Sequence, residues 1–75
     1  MTDKKELQVY VGKRIKLLRE SKKISQQDLA ALCNIEKANF SRIEAGNTNP
    51  TIYTLFKIAR NLGVDLSELT KLDYK

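Results

Sequence analysis

The chain reads as a compact all-α domain of five helices without strands, and three observations predict it. Apolar residues recur at steps of three and four along most of the 75 residues. Four of the recurring runs are preceded by a residue able to cap a helix: Asp3, Ser25, Thr51 and Asp65. Asn34, Gly46 and Gly63 then stand where runs must end, because Asn and Gly tolerate the left-handed backbone that closes a helix. A chain of 75 residues makes one domain, residues 1–75, and buries only about 60% of its unfolded surface. Such a core leaves no room for a deep catalytic pocket beside it.

In the first helix Asp3 and Glu6 form a capping pair, and Leu7, Val11, Ile15 and Leu18 line one side as far as Ser21 to Lys23. Lys13, Arg14 and Lys16 fall on the wet side, where with Lys22 and Lys23 they can approach a phosphate backbone. The second helix begins at Gln26: Ser25 caps it, Asp28 can reach back, and Ile24 staples onto Leu29. Leu29, Ala30, Leu32 and Cys33 share its apolar side, with Ala30 small enough for another helix to cross closely. A tight turn, Asn34–Ile35–Glu36, leads to a third helix from about Lys37 to Ala45, closed by Gly46. The polar loop Asn47–Asn49 and Pro50 precede a fourth helix capped by Thr51, with a broad stripe of Ile52, Leu55, Phe56, Ile58, Ala59 and Leu62 that Gly63 ends. Asp65, with Glu68 three residues later, caps a last short helix that turns Leu66 and Leu69 inward.

Residues 25–46 carry the function. Two short amphipathic helices joined by a three-residue turn form the arrangement that pushes one helix into DNA. At 100° per residue, Phe40 and Ile43 point to one side of the third helix, and Ala38, Ser41, Arg42 and Ala45 to the other. A small, polar, cationic face can sink into a groove about 12 Å wide and leaves Lys37 and Arg42 free to reach base edges or phosphates. From the face alone, an ordinary solvated helix surface is the alternative, since many surface helices carry one Lys and one Arg.

Charge and chemistry agree. Fourteen Lys and Arg against nine Asp and Glu give a net +5, all of it within residues 1–23. With no His, one Cys, no Gly-rich loop and no metal-ligand spacing, the residues argue against an enzyme and for no cofactor and no metal. Most carboxylates serve as caps or ion-pair partners. The single Cys33 reads as a small buried hydrophobe in a reducing compartment. Without an 18-residue apolar run or a signal-peptide pattern, a cytoplasmic protein is expected, with no membrane and no small-molecule ligand among its partners.

The strings SQQDLA, the break at Asn34, NFSRIEAG, NPT, LFKIARNLGV and DLSEL, in this order and spacing, closely resemble the Cro/Xre-type, lambda-repressor-like helix-turn-helix family over residues 11–70. The resemblance implies a DNA-binding transcription regulator acting as a homodimer on a two-fold symmetric operator in double-stranded DNA, similar to the stand-alone controllers of restriction–modification systems. It implies an architectural ion pair between Arg19 and Glu44, base contacts by Lys37, Ala38, Ser41 and Arg42, and a more marginal position for Asn39. It implies phosphate contacts by Gln26, Asn47, Thr48 and Asn49. Two departures stand out: Ala38 lacks the hydrogen-bonding group common at its position, and the 47–49 loop has no Lys or Arg. Short members pair through their last helices, which nominates Tyr53, Leu72 and Tyr74 for a dimer surface, with Phe56, Leu66 and Leu69 assigned to the core. The alternative is a protein-interaction module such as an antitoxin or coactivator subunit with secondary DNA binding. An antitoxin usually carries an extra segment for its toxin, and only about five residues follow the last helix here, which favours the regulator.

Overall fold

In a computed structural model that describes residues 3–71, five helices follow one another: α1 (Lys4–Ser21), α2 (Gln26–Leu32), α3 (Lys37–Ala45), α4 (Ile52–Leu62) and α5 (Ser67–Thr70). Among the described residues there is no strand. The starts follow the capping chemistry. Asp3 Oδ1 accepts from the Glu6 N–H at 2.8 Å while Glu6 Oε1 accepts from the Asp3 N–H at 3.2 Å, a complete reciprocal box. Ser25 Oγ accepts from the Asp28 N–H at 3.0 Å, and Thr51 Oγ1 from the Thr54 N–H at 3.1 Å. The ends follow backbone chemistry: Asn34 at φ 58°, Gly46 at φ 78° and Gly63 at φ 75° are all left-handed.

α1 lies along α3, α2 packs on α3 and α4, and α5 closes the far side against α1 and α4. The centre is filled by Ile15 from α1, Leu29 from α2, Phe40 from α3, Ile58 and Leu62 from α4, and Leu69 from α5. Cys33, the C-cap of α2, is buried, with Sγ 3.7 Å from the Lys57 carbonyl oxygen; burial pushes its thiol pKa up, against smaller opposing effects of Asn61 and Lys57.

Five expectations are corrected. Leu32 is 61% exposed, because α2 ends there and the chain turns beneath it through Cys33 and Ile35 instead. The buried stripe of α4 is narrower than its apolar residues: Leu55, Ile58, Ala59 and Leu62 point inward, whereas Ile52 and Phe56 lie on the flank, 76% and 44% exposed. Asp65 makes no side-chain cap. Its carbonyl accepts the Glu68 N–H at 2.9 Å, Leu66 is the N-cap, and the helix spans one turn. Arg14 is not a free surface cation, because Nε donates to the Glu68 carbonyl at 2.9 Å and Nη2 to its carboxylate at 3.2 Å, tying α5 to α1 and using the carboxylate that a capping box would need. The return bond from the Asp28 side chain to Ser25 is likewise not made; the complete box belongs to α1.

Candidate nucleic-acid interface

Two glycines set the distance between α1 and α3. A Cβ on Gly12 would stand 2.5 Å from the Glu44 carbonyl oxygen and 2.6 Å from that of Ile43, and a Cβ on Gly46 would stand 2.8 Å from the Val9 Cα. The two backbones therefore touch where any side chain would hold them apart. A Gly inside a helical run is the sequence signal of such an approach, and Gly12 carried it unread.

At the far end of α1, Arg19 binds Glu44 through two parallel bonds, Nε to Oε2 at 2.6 Å and Nη2 to Oε1 at 3.1 Å, and Nη1 donates to the Ile24 carbonyl at 2.7 Å. Their side chains are only 10% and 3% exposed. The Glu44 hydrogen bond raises the Arg19 pKa above its ordinary value, against the opposing effect of burial, so the guanidinium stays charged. Gln26 joins them: Nε2 donates to Glu44 Oε1 at 2.8 Å. One carboxylate on α3 thus gathers the end of α1 and the first residue of α2. The turn is held separately by the Ile35 N–H on the Ala30 carbonyl at 2.9 Å.

With Phe40, Ile43 and Glu44 buried, α3 presents Lys37, Ala38, Ser41, Arg42 and Ala45 to solvent, and Asn39 sits half-buried at the edge. Among the described residues neither Lys37 nor Arg42 is held in an ion pair. Beyond α3, Asn47 and Asn49 are exposed and Thr48 is half-buried. Lys5, which helical periodicity did not single out, donates from Nζ to the Gly46 carbonyl at 2.7 Å and to Asn47 Oδ1 at 2.9 Å. Gln26, α3 and the 47–49 loop are thereby linked into one framework through α1.

On α4, Tyr53 is 68% exposed beside Ile52 and Phe56, with the Lys57 ammonium 5.2 Å from its ring centre. Leu72 and Tyr74 lie outside the described residues. Among the described residues no group of His, Cys, Asp and Glu is arranged to hold a metal ion, and no helix is long and apolar enough to cross a membrane.

Residues 15–69 match the helix-turn-helix family HTH_3. The chain is 35% identical over 65 residues to the control protein C.MunI of Mycoplasma sp, a match spanning 85% of this chain and 88% of that one. The restriction-modification controller protein C.AhdI from Aeromonas hydrophila has a similar structure, with a TM-score of 0.79 at 31% identity, over 81% of this chain and 92% of that one. An HTH_3 family transcriptional regulator from Vibrio cholerae gives a TM-score of 0.84 at 33% identity, over 89% of this chain but 38% of that longer one.

Proposed function

The chain belongs to the Cro/Xre-type helix-turn-helix family of DNA-binding transcriptional regulators, and from that membership we propose that it acts as a homodimer on a two-fold symmetric operator, with α3 in the major groove. The observation that carries this reading is the pairing of a rigid support with a shallow face. Glu44 fixes α3 to α1 and α2 from behind, while Ala38, Ser41 and Ala45 leave the front low enough to enter the groove between Lys37 and Arg42.

In this reading Lys37 and Arg42 donate to guanine O6 and N7, Ala38 meets a thymine methyl, and Ser41 bonds a base edge or nearby phosphate. Gln26 keeps one amide N–H beyond the bond to Glu44, and with Asn47, Thr48 and Asn49 it contacts phosphates that set the register. One domain reads only a few base pairs, so specificity requires two copies on half-sites about one DNA turn apart. The exposed Ile52, Tyr53 and Phe56 on α4 supply an apolar surface for that pairing. The relatives named as control proteins support a stand-alone regulator.

Selection of bound sequences from a random duplex pool at near-physiological salt, with an Arg42→Ala control, tests the reading. The expected result is a two-fold symmetric motif with half-sites about ten base pairs apart, lost in the control. Salt-sensitive background binding without an enriched motif would overturn it in favour of a protein-interaction module.

A further inference from the structure

The positive charge missing from the 47–49 loop stands beside it on another helix. Gly12 rests on the carbonyls of Ile43 and Glu44, Val9 packs on Gly46, and Lys5, one turn further back on the same face of α1, reaches past the end of α3. Its ammonium donates to the Gly46 carbonyl at 2.7 Å and to Asn47 Oδ1 at 2.9 Å.

Both bonds bear on how this end of α3 meets a polyanion. The last carbonyls of a helix are its negative pole, and a phosphate approaching Asn47 to Asn49 would be repelled by it. Gly46 is the left-handed cap just past those carbonyls, and a lysine bonded to its carbonyl sets a positive charge beside the pole. The bond to Oδ1 also orients the Asn47 amide, turning the Nδ2 donors away from Lys5 and leaving them free for an acceptor. Lys has three donors, of which two are engaged with the protein, so one remains.

We infer that Lys5 is a phosphate-contacting residue of the DNA interface: from the first turn of α1 it supplies the cation that the loop after α3 lacks, and it holds Asn47 ready to contact the same phosphate. The inference rests on the DNA-binding reading above. It adds a residue from outside the helix-turn-helix, 42 positions away in sequence from Asn47, the first residue of the loop that it serves.

The test is the salt dependence of DNA affinity for the full chain, with Lys5→Gln and Lys5→Arg beside it, on the selected operator and on an unrelated duplex. A lost phosphate contact makes the log–log slope of Lys5→Gln shallower by about 0.9, so that between about 50 and 200 mM salt the wild type loses roughly 3.5-fold more affinity than the variant. The loss is expected to be the same on both duplexes, since a phosphate carries no sequence. Lys5→Arg is expected to keep the wild-type slope. An unchanged slope for Lys5→Gln together with a lowered thermal midpoint would reduce Lys5 to a helix cap and overturn the inference while the wild type still binds. A wild type without salt-dependent DNA binding would overturn the DNA-binding reading itself, and this inference with it.

Discussion

Gly12 of α1 lies against the backbone carbonyl of Glu44 at the end of α3, so close that a Cβ would stand 2.5 Å from its oxygen. The obstacle is backbone, which cannot rotate away as a flexible side chain could. Gly12→Ala gains up to about 1 kcal/mol of helix propensity but must push α1 off α3. The net expectation is destabilisation by about 1–3 kcal/mol, as for other overpacked positions. Urea unfolding should show a lower midpoint at an unchanged slope. A more stable variant would mean that the two helices part at little cost.

Glu44 accepts from Arg19 and Gln26 together, and its side chain is almost wholly buried. Arg19→Met leaves that carboxylate with one partner, at an expected cost of about 3–5 kcal/mol. Glu44→Met strands the guanidinium in the same way. The double variant is expected to lose clearly less than the sum, because neither charge is then left alone. Denaturant titrations of all four proteins measure the coupling, and additive losses would show that the residues do not act as one unit.

Much of this architecture was legible where chemistry marks it locally. Asp3, Ser25 and Thr51 announce helix starts, and Asn34, Gly46 and Gly63 announce ends, because each depends on bonds or backbone angles within a few residues. The solvent face of α3 was legible for the same reason, since Phe40 and Ile43 leave it only one way to turn. Leu32, Ile52 and Phe56 were misread because periodicity shows which side of a helix is apolar and not whether another element covers it. Arg14 and Lys5 were missed as anchors because their partners, Glu68 and Gly46, lie far away in sequence. The one-turn α5 is held by Arg14 and by Leu69 in the core, contacts that no capping pattern encodes.

The flank of α4 offers Ile52, Tyr53 and Phe56 to solvent beside one another. If two copies pair through it, Ile52→Glu combined with Phe56→Lys should give a monomer in sedimentation equilibrium. Ile52, 76% exposed, should change the stability of the fold by little more than about 0.5 kcal/mol, whereas Phe56, 44% exposed, should cost about 1 kcal/mol. DNA affinity for a full operator should fall towards that for a half-site. A variant that remains dimeric would move the interface elsewhere.

Arg42 is the residue at which the proposed base reading can be told apart from charge. It is exposed in the last turn of α3, bears no ion pair among the described residues, and lies on the same face as Ala38 and Ser41. A bidentate guanine contact is worth about 1–3 kcal/mol of discrimination, so Arg42→Ala should weaken operator binding by roughly five- to 150-fold. Unrelated DNA should be affected only as much as one lost charge requires. Gln26→Ala should behave differently: it removes the proposed phosphate donor and one support of Glu44, neither of which depends on sequence, and so should weaken both DNAs alike. Titrating both variants against both duplexes at one salt concentration gives the comparison. Equal losses on the two DNAs for Arg42→Ala would remove Arg42 from base reading and leave Lys37 as the cation of α3 able to carry that role.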